Sequence, residues 1–140
     1  MTRLHFQPIK DKSLDILDTI LKNEDVAAVD EIWRRLGVVV EEIVLNIVDY
    51  SKSDYLDVEI TRDAESITLC FHDGGELFNP LEREEPDFTV PLEDRKIGGL
   101  GIFMVIKYMD TVTFSHSGGE NILTVMKKIK VKNVSLELHS

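Results

Sequence analysis

Apolar residues in the first third of the chain recur at helical spacing. They predict a helix over residues 11–22 and a long helix over residues 26–51, after a short strand over residues 3–7. Asn23, between the two helices, is a typical N-cap for the second one. The long helix carries one continuous apolar stripe, which consists of Val29, Ile32, Trp33, Leu36, Val40, Ile43, Val44 and Ile47.

The rest of the chain changes to the two-residue period of β-strands. Alternation over residues 56–61 and 67–72 predicts a hairpin, and a second hairpin is predicted over residues 112–116 and 122–129. A helix over residues 100–109 comes between the two hairpins. Residues 74–99 predict a long loop rich in glycine, proline and charge, which is typical of a functional segment such as a lid. The tail over residues 131–140 alternates again, which fits an additional strand or pairing with a partner.

This order of elements predicts an α+β fold. Helices grouped with two hairpins are typical of a two-layer α/β sandwich, in which helices cover one face of a mostly antiparallel sheet. The long loop lies between sheet and helix, where a lid is expected. At 140 residues, the whole chain (1–140) is predicted to form a single domain.

The composition narrows the classes of function. A net charge of −10 and a pI near 4.8 disfavour direct nucleic-acid binding and favour a protein partner with a basic face. No segment approaches the ~20 consecutive apolar residues of a membrane span, and we see no signal peptide. A single cysteine, Cys70, fits a reducing cytoplasm, and its strand position favours a core or interface residue over a reactive thiol.

Glu42 and Asn46 form the first group of candidate site residues. They are four residues apart, so they lie on one face of the long helix. Asn46 can offer its side-chain oxygen to Mg²⁺, and Glu42 can act as a general base. Taken alone, such a pair is more often a solvated helix face.

Two glycine-rich motifs follow. Asp73 ends a predicted strand, where a carboxylate can accept a hydrogen bond from the amino group of adenine, and Gly75 lets a flat base approach the backbone. A plain Asp-Gly turn is the alternative. The run over residues 98–101 precedes a helix whose free N–H groups suit phosphate, and a tight loop without a ligand is the alternative. The chain contains no Walker A motif.

In this order and at these intervals, the three motifs resemble a known superfamily. They are similar to the ATP-binding domain shared by histidine kinases, DNA gyrase B subunits, a class of heat-shock chaperones and MutL mismatch-repair proteins (the GHKL superfamily, with the Bergerat fold). Within it, the chain most resembles the stand-alone anti-sigma factor kinases of bacterial partner-switching systems. The resemblance covers roughly residues 10–130 and includes a final hairpin motif over residues 118–124.

The resemblance implies ATP and Mg²⁺ as ligands, and it implies roles for the candidate residues. Asn46 would hold the magnesium ion and Glu42 would be the general base. Asp73 would read the adenine amino group through a water shared with Thr124, with Gly75 under the base.

The resemblance also implies a phosphate site at the second glycine motif. Backbone N–H groups of Gly99 and Gly101, with Leu100 between them, would contact phosphate. A lid cation, Arg95 or Lys96, would reach the γ-phosphate. The sequence does not choose between these two cations, and both are also compatible with solvated lid charges.

As a function, the resemblance implies an ATP-dependent serine/threonine protein kinase. Its substrate would be a small antagonist protein of the anti-anti-sigma type, its second partner a sigma factor, and a homodimer is a further expectation. The alternative is an ATP-binding regulatory module that switches a protein partner without phosphotransfer. Asp49 favours that alternative if it faces the phosphate site and has no bearing if it faces water. Tyr50 stands where relatives often carry His or Lys.

Overall fold

The computed structural model describes residues 1–82 and 100–129, and this part of the chain forms five strands and four α-helices. Their bounds are β1 Thr2–Phe6, α1 Ser13–Leu21, α2 Glu24–Ala27, α3 Trp33–Tyr50, β2 Leu56–Arg62, β3 Ser66–Asp73, α4 Leu100–Tyr108, β4 Thr111–Ser117 and β5 Glu120–Lys128. Short 3-10 helices occur at Lys10–Lys12, Asp30–Ile32 and Pro80–Glu82. The predicted first strand, both hairpins and the last helix are confirmed. The predicted tail and most of the predicted lid lie outside the described residues.

The five strands form one open antiparallel sheet in the order β1-β2-β3-β5-β4. β5 lies between β3 and β4, so the last hairpin joins the sheet through its second strand. This arrangement brings the end of β3 next to the start of β5, where Asp73 is paired with Asn121. The predicted antiparallel α+β fold is confirmed.

The two faces of the sheet differ in chemistry because side chains alternate along each strand. On β3, Leu69 and Phe71 are buried against the helices, whereas Thr68, Cys70 and His72 face the other side and are only partly buried. We call this second side the outer face of the sheet. The core lies between the helices and the inner face, and it includes Ile16, Ile20, Leu36, Val40, Ile43, Leu56, Val58, Ile60, Ile67, Leu69 and Phe71. No helix within residues 1–82 and 100–129 is long and apolar enough to cross a bilayer.

The predicted helix over residues 26–51 is wrong in its first turns. The chain instead forms α2, a 3-10 helix and then α3. The break lies at Asp30, whose φ of 43° is a left-handed conformation that a right-handed helix cannot contain. The predicted cap at Asn23 is confirmed, because its Oδ1 accepts hydrogen bonds from the N–H groups of Asp25 and Val26 at 3.0 and 3.3 Å.

Gly37 in the interior of α3 offers a test of this packing. A Cβ atom there would lie 3.6 Å from the nearest side-chain atom of Leu21, which is an ordinary contact. Because alanine loses less conformational entropy than glycine in a helix, Gly37→Ala should raise the free energy of unfolding by about 0.5–1 kcal/mol. Urea denaturation measures this change. A lower midpoint would show that α1 and α3 pack more closely than described.

Candidate functional site

Helix α3 presents Asn46 toward the end of the sheet. The Asn46 Nδ2 group donates a hydrogen bond to the backbone carbonyl of Glu42 at 2.9 Å. Because the amide nitrogen is held in this way, the amide oxygen is the atom that faces a ligand. An oxygen in this position fits a hard cation such as Mg²⁺.

Asp73 is the buried carboxylate of the site, with 4% of its surface exposed. Its Oδ1 atom accepts hydrogen bonds from the Gly75 N–H and from Asn121 Nδ2, both at 3.0 Å. Within residues 1–82 and 100–129, no donor reaches Oδ2. Oδ1 is therefore used for hydrogen bonds within the fold, and Oδ2 can accept a hydrogen bond from a ligand.

Asn121 is a functional residue that the sequence analysis missed. Its Nδ2 donates to Asp73 and, at 2.7 Å, to the Glu76 carbonyl, while its Oδ1 accepts from the Phe78 N–H at 3.3 Å. These bonds hold the loop after β3 against the sheet and fix the orientation of Asp73. The available signal was a polar residue in phase with the buried Leu123.

The structure corrects the assignment of Thr124. This residue is paired with Cys70, and strand alternation puts it on the outer face, whereas Asp73 and Asn121 face the helices. The Thr124 Oγ1 atom lies 3.3 Å from Cys70 Sγ. A water shared between Thr124 and Asp73 is therefore ruled out by the sheet register, and Asn121 takes the position next to Asp73.

Asn46 and Asp73 line one small cavity between α3, α4 and the sheet. The other walls are mostly apolar and consist of Ile43, Ile47, Ser51, Phe71, Phe78, Pro80, Ile102, Phe114, Asn121 and Leu123. Its volume is about 30 Å³, which holds a water but is far below the ~150 Å³ of a cavity that binds benzene. A flat aromatic ligand therefore needs a wider cavity, and the segment that carries Phe78 and Pro80 is one of its walls.

Two neighbours of the cavity answer questions that the sequence left open. The Tyr50 ring is stacked on the Phe78 ring, with 5.5 Å between centroids and 22° between planes. The residue that stands where relatives often carry a cation thus extends an aromatic wall. Asp49 is exposed and lines neither this cavity nor the larger one next to it. Its charge therefore does not argue against phosphate binding.

Glu42 and Gly101 line a second, larger cavity. Its volume is about 440 Å³, within the range of small-molecule sites, and its other walls are Arg35, Val38, Val39, Met104, Val105, Lys107 and Tyr108. Both cavities take walls from α3 and α4, since Ile43 and Ile102 of the first cavity are sequence neighbours of Glu42 and Gly101. Asn46 and Asp73 thus share the small cavity, whereas Gly101 lines the larger one next to it.

The Glu42 carboxylate packs on the first turn of α4. A Cβ atom at Gly101 would lie 1.8 Å from Glu42 Oε2, so the absence of a side chain there makes room for the carboxylate. Burial raises the pKa of Glu42, and the neighbouring charge of Glu41 raises it further. By its contact with Gly101, the Glu42 carboxylate also lies at the N-terminus of α4, the position predicted for phosphate, where a helix favours an anion.

The structure shows why position 75 is a glycine, which the sequence did not reveal. A Cβ atom there would lie 1.7 Å from the backbone oxygen of Ser51, at the end of α3. The same oxygen accepts a hydrogen bond from the Glu76 N–H at 3.1 Å. Gly75 thus allows the loop after β3 to contact the helix end directly.

The remaining predicted residues belong to the second glycine motif. Leu100 is the first residue of α4. Arg95, Lys96 and Gly99 lie outside the described residues, so their predicted phosphate contacts stay predictions.

Comparisons with known proteins agree with the fold. The family model of the histidine kinase-like ATPase domain matches residues 14–127. Among solved structures, the Acinetobacter baumannii histidine kinase AdeS is similar over 95% of this chain and 69% of that chain, with a TM-score of 0.51 and 15% sequence identity. At that identity, the likeness concerns the fold alone. A search of curated proteins found no match.

The contact between Gly75 and Ser51 predicts a stability effect opposite in sign to that at Gly37. Gly75→Ala forces a methyl group onto a backbone oxygen, so part of the backbone must shift. We expect the free energy of unfolding to fall by about 1–3 kcal/mol, measured by urea denaturation with Gly37→Ala as the matched control. An unchanged midpoint for Gly75→Ala would contradict the described contact.

Proposed function

This chain belongs to the family of histidine kinase-like ATPase domains, which makes it an ATP-binding domain of the kinase type, and from that premise we propose that it is a serine/threonine protein kinase of the anti-sigma factor type. Its substrate is a small antagonist protein in a partner-switching pathway. The observation that carries the proposal is the grouping of three side chains. Asn46 and Asp73 line one cavity. The Glu42 side chain of α3 lies next to that cavity, packed against the first turn of α4.

Adenine recognition is supported by the acceptor left on Asp73. The exocyclic amino group of adenine donates a hydrogen bond, and Asp73 Oδ2 is an acceptor within an apolar cavity. Phe71, Phe78 and the Phe78–Tyr50 stack provide flat surfaces for a base. Sites for small molecules are usually lined by many apolar side chains and a few polar groups, as this cavity is.

The proposal puts the triphosphate and its Mg²⁺ ion between Asn46 and the start of α4, where the small cavity must widen to admit them. The Asn46 amide oxygen would hold the ion, which neutralises phosphate charge when bound. Neutralisation matters here because the Glu42 carboxylate already occupies the start of α4, and two anions repel each other there.

Glu42 is the proposed general base for transfer. A serine or threonine hydroxyl of the antagonist attacks the γ-phosphorus, its proton passes to the Glu42 carboxylate, and ADP leaves with the electrons of the broken P–O bond. The raised pKa of Glu42 makes it a stronger base than an ordinary carboxylate. The cavity that Glu42 lines is large enough to admit a side chain of the substrate protein.

The acidic surface supports a protein partner rather than a nucleic acid. With a net charge of −10, the domain attracts a partner with a basic face. We propose that the antagonist and a sigma factor compete for the domain in the cytoplasm, and that the domain acts as a homodimer. An ATP-dependent switch without phosphotransfer is the alternative, and the Glu42 experiment below separates the two.

Asp73→Asn tests adenine recognition without changing the shape of the side chain. The asparagine Oδ1 can still accept the bonds from Gly75 and Asn121, but Nδ2 replaces the free acceptor with a donor. We expect the dissociation constant for ATP, measured by calorimetry, to rise about 10- to 100-fold. The loss should be smaller for inosine triphosphate, whose 6-oxo group accepts a hydrogen bond.

Thr124→Val is the matched control, since Thr124 lies on the outer face. It should leave ATP affinity unchanged. Equal affinities of wild type and Asp73→Asn for ATP would refute the proposed role of Asp73.

Glu42→Gln separates binding from transfer. This variant should still bind ATP but lose at least about 100-fold in the rate of label transfer from ATP to a partner co-purified from the native cell. In the wild type, the rate should fall as pH drops through the raised pKa of Glu42, because protonation removes the base.

The exposed neighbour provides the control, because Glu41→Gln keeps the base and should shift the pH profile to lower pH. Tight ATP binding by the wild type without label transfer to any co-purified protein would favour the regulatory module instead.

A further inference from the structure

The outer face of the sheet carries a cluster of side chains that the proposed function does not use. Cys70 and His72 alternate along β3, and Glu59 on β2 is the cross-strand partner of Cys70. Cys70 Sγ lies 3.2 Å from His72 Nε2, and His72 Nε2 lies 3.3 Å from Glu59 Oε1. A sulfur, a nitrogen and an oxygen atom thus meet at one point on this face.

The spacing of these three atoms fits a single metal ion. The ligand atoms all lie within 4.8 Å of one another. In tetrahedral zinc sites, bond lengths of about 2.0–2.3 Å separate neighbouring ligand atoms by about 3.3–3.8 Å. The Sγ–Nε2 and Nε2–Oε1 separations of 3.2 and 3.3 Å are close to the short end of that range. Thiolate, imidazole and carboxylate together are a donor set typical of zinc.

Glu120 is placed to support the histidine. His72 Nδ1 is buried and makes no hydrogen bond within the described residues, but it lies 3.5 Å from Glu120 Oε1. The other oxygen of Glu120 accepts a hydrogen bond from the Tyr55 hydroxyl, which raises the pKa of Tyr55 to about 12. Metal-bound histidines usually direct their second ring nitrogen at a carboxylate. His72 is therefore oriented with Nε2 toward Cys70 and Glu59.

The local charge also favours a cation. Asp57, Glu59 and Glu120 lie around the cluster, and Arg3 donates hydrogen bonds to Asp57 and Glu59. The bond to Glu59 is made at Oε1, the same atom that faces His72 Nε2, and a carboxylate oxygen can accept this hydrogen bond and still bind an ion. Three carboxylates outweigh the Arg3 guanidinium, so a divalent ion reduces repulsion within the patch.

We propose that Glu59, Cys70 and His72 bind one zinc ion on the outer face of the sheet, with a water as the fourth ligand and Glu120 orienting His72. The ion joins β2 to β3 on the side opposite the nucleotide cavity. Its binding therefore does not depend on the proposed kinase activity.

Calorimetric titration of the purified protein with Zn²⁺ alone tests the site. We expect one ion per chain, with affinity reduced more than about 100-fold in Cys70→Ser and in His72→Gln, because each loses a ligand. Glu120→Gln should reduce affinity about 10- to 100-fold, the usual effect of losing an outer-shell partner. His5→Gln is the control, since His5 lies on the same face but is hydrogen-bonded to Asp57.

Two further measurements use the unaltered protein. A thiol must lose its proton to bind zinc, so binding at neutral pH should release about one proton, seen as a dependence of the binding heat on the buffer. Zn²⁺ should also protect Cys70, the single cysteine, from alkylation.

The proposal is overturned by a dissociation constant above about 100 µM for the wild type, by equal Zn²⁺ affinities of wild type, Cys70→Ser and His72→Gln, or by an alkylation rate that Zn²⁺ does not change. ATP affinity, measured in parallel, should be the same with and without the metal. That comparison keeps a failure of this site distinct from a failure of the proposed kinase.

Discussion

The hydrogen bond between Asp73 and Asn121 is the interaction on which the candidate site depends. A buried carboxylate is costly unless it is hydrogen-bonded, and Asn121 supplies one donor to it and a second donor to the Glu76 carbonyl. The Glu76 N–H in turn binds the Ser51 carbonyl at the end of α3. Sheet, loop and helix are thus joined by one buried polar network, and removal of any member leaves the others unsatisfied.

Strand alternation gives the same sheet two separate chemistries. On β3, Asp73 faces the helices and the small cavity, whereas Cys70 and His72 face outward toward Glu59. A slip of one residue in strand register would exchange the two sets, so the hydrophobic core that fixes the register also fixes both sites. The buried Leu69 and Phe71 therefore specify function as well as stability.

Local periodicity predicted the elements of the fold but not the contacts between distant segments. The hairpins, the last helix and the Asn23 cap followed from patterns within a few residues. The break at Asp30 did not follow from such a pattern. The apolar stripe includes Val29 and Ile32 on either side of the break, and the pattern of apolar residues does not depend on the sign of φ at Asp30. The exchange of Thr124 for Asn121 depends on the pairing of β3 with β5, and the contact of Gly75 with Ser51 depends on how the loop returns to α3. Alternation puts Asn121 in phase with the buried Leu123, but it does not show which residue of β3 lies beside Asn121 or where the loop contacts α3.

The narrow cavity next to Asp73 has a consequence for the equilibrium of nucleotide binding. Space for little more than a water means that the described conformation does not admit a base, so nucleotide binds the fraction of molecules in which the cavity is wider, for instance because the Phe78 loop lies farther out. The observed association constant is then the intrinsic one multiplied by that fraction. Any partner that holds this loop outward would tighten ATP binding without touching the nucleotide, and by thermodynamic reciprocity ATP would strengthen the hold of that partner.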